Sequence, residues 1–289
     1  MLTLPPQQIP RWRDYIERKI GFVLPEEQLR WLVNAVEYTA RKYQLNFEDL
    51  WQGVQSSQQL RQQLLDEVLI LESRFFRHPP SIEFISNLAC DHRDQAPVNG
   101  KNNQASPFRI WSLGCATGQE VWSVAMSLKA QAIKDFEILG TDASQKALAQ
   151  AQSARYNAKQ LMGVPAPYQH FLIPLEAELN QDQPLAKQQA EGCWQVSAEL
   201  QSHVRFVWHN IFGSDLPADQ PQDVIICQNM LIYFRKFDQR DILRRLSQQC
   251  RLGGHIVLAP GEGLGWSPKN MRKLRHPTIN AWQKISRNP

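Results

Sequence analysis

The sequence predicts an all-α N-terminal part followed by a doubly wound parallel α/β domain. Three observations carry this. Residues 11 to about 92 hold apolar residues at three- and four-residue spacing, the pattern of helices packed by one face. From residue 108 onward, short apolar strand candidates alternate with amphipathic helix candidates, as in a sheet whose crossovers are helical. Between the two lies DQAPVNGKNNQASP, polar, aperiodic and rich in Asn, Gln and Pro, which reads as a linker. The expected bounds are 1–94 for the helical part, 95–107 for the linker and 108–289 for the α/β domain.

The elements follow in order. WRDYIERKIGF, PEEQLRWLVNAVEYTARKY, FEDLWQGV and SQQLRQQLLDEVLI read as helices, and a short helix SIEFISNLACDHR follows Pro79 and Pro80. Pro25 suits a first helical turn, and Glu26 and Glu27 suit the positive end of a helix dipole. FRIWSLG is a strand, EVWSVAMSLKAQAI a helix, FEILGTD a strand and QKALAQAQSARY a helix. VRFVWHNI and QDVIICQNMLIYF supply further strand cores, DQRDILRRLSQQC a helix and GGHIVLAP a closing strand. Segment 157–200, with Pro165, Pro167, Pro174 and Pro184 and a strand-like GCWQVS, reads as an insertion outside the sheet.

Composition narrows the function classes. A hydrophobic content of 43% with 21% charged residues suits a globular protein, and a net charge of +4 is too small to argue for nucleic acid. No apolar run approaches the roughly 20 residues of a membrane span, and MLTLPPQQIPRWRDY lacks the plan of a secretion signal. Five cysteines without a CxxC pair read as reduced thiols, with neither a disulfide framework nor a metal site, so a cytoplasmic location is expected.

Chemistry concentrates at strand ends. Gly114, Cys115, Ala116, Thr117 and Gly118 form a turn between the first strand and its helix; such a turn is either a tight connection or a cradle for a nucleotide-like ligand. It lacks the Lys-Ser/Thr of a P-loop, which disfavours a triphosphate. Asp142, ending the second strand, is placed to accept from two ribose hydroxyls or to cap the next helix, a role that Ser144 could take instead. Gln228 and Asn229 put two amides at another strand end, where each must find partners or cost about 1–3 kcal/mol, so they face a ligand or cap a loop. His209 and Asn210 have similar placement. Arg77, in LESRFFRHPP, is either a surface cation or a two-bond grip on a carboxylate. Arg11, Arg13, Arg18, Lys19, Arg30, Arg41 and Lys42 make the helical part basic; these charges either only solvate amphipathic helices, several having acidic neighbours such as Asp14, Glu17 and Glu37, or steer an acidic partner.

SRFFR, WSLGCATGQEVWSVAM, ILGTDAS with ALAQAQSARY, and DVIICQNMLIYFRKFDQRDILRRL together resemble the CheR-type chemotaxis receptor methyltransferases, in order and spacing, from about residue 60 to 262. The resemblance implies a Rossmann-like domain that binds S-adenosyl-L-methionine, preceded by helices, with a small antiparallel β-subdomain supplied by 157–200. It implies esterification of glutamate side chains on the cytoplasmic helices of methyl-accepting chemoreceptors, with no nucleic acid partner and membrane association only through the receptor. By position it implies cofactor contacts from Ser73, Arg77, Gln119, Glu120, Asp142, Asn210, Ile211, Gln228 and Asn229. Catalytic residues and metal are not assigned. Leu71 stands where the family has asparagine, Gln119 where it has glutamate, and PGEG at 260–263 replaces Gly-His-Ser-Glu, keeping only Glu262. These departures point to a divergent branch, such as that of type IV pilus chemosensory systems. They leave open a methyltransferase on another substrate and a silent cofactor-binding adaptor.

Overall fold

The computed structural model describes residues 3–95, 106–175, 193–213 and 216–287. Residues 96–105, most of the expected linker, and 176–192, part of the expected insertion, lie outside them.

Among the described residues, five α-helices precede the first strand: α1 (Ile9–Ile20), α2 (Leu29–Lys42), α3 (Phe47–Ser56), α4 (Gln58–Val68) and α5 (Pro79–Asp94). Local chemistry sets their ends. Gly21 closes α1 in the left-handed region, the Asn46 side chain accepts from the backbone N–H of Glu48 and Asp49 at the start of α3, and Ser57 caps α4. Pro79 and Pro80 do not precede α5 but begin it. In a first turn the missing N–H has no intrahelical partner to lose, so the helix takes them in. Trp12, Ile16, Leu32, Val36, Leu50, Val54 and Leu64 from α1–α4 are fully buried in one cluster. α5 packs elsewhere, with Ile82, Ile85 and Ala89 in the core of the α/β part.

The main sheet holds β1 (Phe108–Leu113), β2 (Phe136–Asp142), β6 (Val204–Trp208), β7 (Gln222–Cys227), β8 (Cys250–Leu258), β9 (Met271–Lys273) and β10 (Asn280–Lys284) in the order β6-β2-β1-β7-β8-β10-β9. β6, β2, β1, β7 and β8 are mutually parallel, while β10 pairs antiparallel with both neighbours. Alternation along the strands separates two cores. Ile110, Ile138, Val224, Ile226 and Val257 face α5, α6 (Gln119–Ala130) and α7 (Gln145–Ser153). Trp111, Leu139, Ile225, Ile256 and Leu258 face a helix at Lys236–Gln249. The α/β class expected from the strand–helix alternation is the one observed.

Three expectations change. The helix QKALAQAQSARY stops at Ser153: Ala154 turns left-handed (φ 53°), and Arg155–Asn157 becomes β3, which pairs with β5 (Cys193–Val196). With β4 (Leu172–Leu175) these form a separate antiparallel sheet, order β3-β5-β4. QDVIICQNMLIYF is strand only to Cys227; Asn229 at φ 56° breaks the extended run, and Leu231–Tyr233 forms a 3-10 turn. GGHIVLAP does not close the sheet, since β9 and β10 follow. They are short and flanked by Pro268 and Pro277, so they give little sequence signal of their own.

Two shorter helices and the C-terminal one complete the series: α8 (Ala158–Leu161), α9 (Ala198–Gln201) and α10 (Lys236–Gln249). The helical part is tied to the sheet by several direct contacts. Gln62 donates to the carbonyl of Ala143 (2.8 Å), Asn210 donates to the carbonyl of Lys19 (2.9 Å), and the Val23 N–H donates to the Tyr233 carbonyl (2.8 Å). Phe22 stacks on Tyr233 at 4.7 Å, and Arg235 pairs with Glu17. Gly21 has φ +69°, and a Cβ there would lie 2.0 Å from the ring of Phe212. Gly21→Ala should therefore lower stability by about 1–2 kcal/mol, from left-handed strain plus displacement of that ring. Urea unfolding measures it; an unchanged midpoint would mean that Phe212 moves aside freely.

Candidate active site

Five parallel strands end along one edge of the sheet, on either side of the point where the chain order reverses. β2 and β6 lie to one side of β1, and β7 and β8 to the other. That reversal leaves a crevice beyond the strand ends, because the connections from β1 and β7 diverge to opposite faces. The residues there are Gly114–Cys115–Ala116 after β1, Asp142 at the tip of β2, His209–Asn210–Ile211 after β6, and Gln228–Asn229–Met230 after β7. All of them line a single cavity of ≈ 240 Å³. The helical part roofs it with Ile20, Phe22, residues 69–74 and Arg77.

The turn after β1 is backbone-determined. Gly114 (φ 73°), Ala116 (φ 47°) and Gly118 (φ 90°) all take left-handed conformations. At Gly118 a Cβ would lie 2.9 Å from that of Ala151 and 3.1 Å from the Tyr156 hydroxyl, so the helix start can approach α7 and β3 only without a side chain. Tyr156 donates to the Thr117 carbonyl at 2.6 Å, bracing the turn from the small sheet. Asp142 ties the turn to β2, its two oxygens accepting from the N–H of Ala116 (2.9 Å) and of Ser144 (2.8 Å). Ser144 itself caps α7, accepting from Ala147, which frees Asp142 from that role. Burial lifts the Asp142 carboxyl above its ordinary range, and the surrounding backbone N–H groups oppose the rise.

One more carboxyl lines the same cavity, and another holds the wall after β7 from outside it. Glu120, in the first turn of α6, accepts from the Ser112 hydroxyl at 2.8 Å. Burial pushes it up to about 7, against the pull of that hydrogen bond and of Arg77, with Glu262 adding to the rise. Glu262, 5% exposed, accepts from the N–H of Asn229 and of Ala259, both at 3.1 Å, and so joins the turn after β7 to the end of β8. Its carboxyl is also raised by burial. Arg77 approaches from the roof, donating to the Glu72 carbonyl (3.2 Å), with the Glu72 carboxylate 3.7 Å away. The half-buried carboxyls of Asp142 and Glu120, with one arginine, suit a ligand carrying hydroxyl or cationic groups and one carboxylate.

Of the nine expected contacts, Ser73, Arg77, Glu120, Asp142, Asn210, Ile211, Gln228 and Asn229 line the cavity. Gln119 does not. It is 2% exposed and turned inward, accepting from the Thr117 hydroxyl at 2.7 Å. Asn210 lines the cavity with its amide engaged, donating to Lys19 and accepting from the Phe212 N–H, so it works as a clasp between loop and roof. The Gln228 amide nitrogen is likewise spent on Ser81 and the Leu258 carbonyl. The sequence reading passed over Tyr233, which lines the cavity; burial raises its phenol, Glu72 adds to the rise and Arg77 opposes it. Its signal was its place just after the two strand-end amides.

This architecture defines a nucleoside-binding α/β domain with a helical roof. A model of the CheR methyltransferase SAM-binding domain matches residues 71–279. The chain belongs to the CheR methyltransferase family, and its cofactor is S-adenosyl-L-methionine. It is 24% identical over 278 residues to chemotaxis protein methyltransferase Cher2 of Pseudomonas putida, covering 92% of this chain and 93% of that protein. It is 26% identical over 247 residues to the probable biofilm formation methyltransferase WspC of Pseudomonas aeruginosa, covering 84% of this chain but only 53% of that relative, about half its length. Among solved structures, an RNA methyltransferase from Salinibacter ruber in complex with S-adenosyl-L-homocysteine aligns at a TM-score of 0.39 and 13% identity, over 73% of this chain and 95% of that one. No described helix is long and apolar enough to cross a membrane.

The raised Glu120 carboxyl sets a pH dependence. A folded-state value above the unfolded one means a contribution fully present below about 4.5 and lost as pH rises through about 7. The cofactor-free protein should therefore lose on the order of 2–3 kcal/mol of stability between pH 4.5 and 8 through this group. Glu120→Gln should flatten that slope in denaturant titrations. An identical slope in the variant would assign the loss to other groups.

Proposed function

We propose that this protein transfers the methyl group of S-adenosyl-L-methionine to glutamate side chains of a methyl-accepting chemoreceptor, yielding glutamate methyl esters and S-adenosyl-L-homocysteine. Family membership and the chemotaxis names of relatives support the substrate class. The observation that carries the reading is the cavity itself. Glycine-rich turn, strand-end aspartate, helix-borne glutamate and roof arginine converge on one volume.

The residues present fit the cofactor. The Asp142 oxygens each hold one backbone N–H and keep a further acceptor site for ribose hydroxyls. Glu120 would hold the amino group, and a cation beside it offsets the cost of its burial. Arg77 would hold a carboxylate, of cofactor or substrate, in two bonds. Ser73, Asn210, Ile211, Gln228 and Asn229 would shape the remaining wall. When bound, S-adenosyl-L-methionine supplies an activated methyl group on a sulfonium sulfur.

The chain's own task is then modest. A glutamate side chain, with an ordinary pKa of about 4.3, is already an anion at neutral pH and needs no general base. The apolar roof residues Ile20, Phe22 and Leu71, with Ile232 and Phe234, would strip water from it and hold its approach. Alignment of this kind is worth up to roughly 7–11 kcal/mol in the best intramolecular cases.

Incubating the protein with methyl-labelled cofactor and chemoreceptor-containing membranes should label the receptor band, with alkali releasing the label as methanol. Alkali-stable label, or label in another fraction, would overturn the substrate assignment. Arg77→Lys should lose about tenfold or more in cofactor affinity or kcat/KM, because lysine cannot make a planar two-bond pairing worth roughly 1.5–3 kcal/mol. A lysine variant matching the wild type in both would return Arg77 to a surface role.

A further inference from the structure

A second cavity of ≈ 250 Å³ opens beside the first, and Ile232 lines both. One wall is the 3-10 turn at Leu231–Tyr233, another is a face of α10, and the third is the loop 261–266. On α10 the lining residues are Lys236, Gln239, Arg240 and Leu243, whose spacing places them on one side of the helix. Gln239 donates to the carbonyls of Leu231 (2.9 Å) and Phe234 (3.0 Å), fixing the turn against the helix. Leu231, Leu243 and Glu262 make a closed floor, all at most 5% exposed.

The rim is different. Ile232 is 62% exposed and Leu264 79% exposed, on opposite sides of the groove. Lys236 and Arg240 stand one helical turn apart, and neither forms an ion pair among the described residues. Nearby cations do: Arg235 pairs with Glu17 and Arg244 with Asp241. A Cβ at Gly261 or Gly265 would meet nothing within 4 Å, so the loop backbone is open to an incoming chain.

We propose that this groove docks the protein segment bearing the target carboxylate, as an acidic amphipathic helix that leads its glutamate past Ile232 into the cofactor cavity. The inference rests on the methyltransferase reading above. Ile232 and Leu264 contact the helix's apolar side. Lys236 and Arg240, about 6 Å apart at Cβ, match carboxylates one turn apart on its polar side. No strand edge borders the groove, so recognition runs through side chains, which favours a helix over an added strand. The basic residues of the N-terminal helices are the competing site: Arg11 is held by Glu48 at 3.0 Å and Arg13 lies 3.9 Å from Asp14, whereas Arg18 and Arg30 form no ion pair among the described residues. What favours the groove is that it shares Ile232 with the cofactor cavity.

The probe is a labelled helical peptide with leucines on one face and glutamates at four-residue spacing beside a central glutamate. Its binding to the full chain loaded with S-adenosyl-L-homocysteine is read by anisotropy, and methyl transfer to it is read separately. Lys236→Glu with Arg240→Glu should weaken binding about fivefold or more, leave S-adenosyl-L-homocysteine affinity unchanged, and regain binding with a peptide whose flanking glutamates are lysines. Equal binding by variant and wild type, or no binding by either, overturns the groove. Weakening by Arg13→Glu, Arg18→Glu and Arg30→Glu alone overturns it in favour of the helical part. Groove-dependent binding without methyl transfer would refute the methyltransferase reading and leave the groove standing, so the two failures are distinct.

Discussion

The Asp142 carboxylate, clamped between the N–H of Ala116 and the N–H of Ser144, is the constraint on which the site depends. One acid joins the turn after β1 to the turn after β2, and each turn begins a helix that packs on the same face of the sheet. Ala116 is held left-handed without the freedom of glycine, and the bond to Asp142 helps to offset that strain. The same carboxylate lines the cavity, so the group that holds the loop in shape is also placed to meet a ligand.

A parallel tie operates across the switch in strand order. Glu262 reaches back from the end of β8 to the N–H of Asn229, itself left-handed, and so sets the wall after β7. With Glu262 behind this wall, the cavity is lined by two carboxyls, Asp142 and Glu120, that burial drives toward neutrality. An acid-lined site of this kind rewards a cationic ligand twice, through the direct pairing and through relief of the acids' desolvation. Arg77 is the counterweight, brought in from the segment just before α5.

Ile20, Phe22, Leu69 and Ile70 show why the helical part matters to the chemistry. Its main core is separate, built from Trp12, Ile16, Leu32 and their neighbours, yet it contributes the roof of the cavity. The clasp from Asn210 to Lys19, the stacking of Phe22 on Tyr233 and the bond from Gln62 to Ala143 hold that roof against the strand ends. All three contacts reach residues that themselves line the cavity, so the position of the helical part and the shape of the site are coupled.

What the sequence determined by itself is whatever rests on local pattern. The α/β alternation, the helices of the first 90 or so residues, the glycine turn after FRIWSLG and the strand-end positions of Asp142, Gln228 and Asn229 all follow from periodicity, turn chemistry and spacing. Tertiary structure decided the rest, because it depends on partners far away in the chain. Gln119 and Glu120 are neighbours of similar polarity, yet one turns inward to Thr117 and the other faces the cavity, a choice made by the helix phase against the sheet. For Asn210 and Gln228 the sequence leaves ligand contact and loop capping both open; Lys19, Ser81 and Leu258, brought within reach by the fold, engage their amide nitrogens. β9 and β10 are strands only because β8 offers an edge, and the helix before β3 stops only because the small sheet captures Arg155–Asn157. Local pattern can place a polar group at a strand end; which hydrogen bond it makes there is decided by the long-range packing that brings a partner to it.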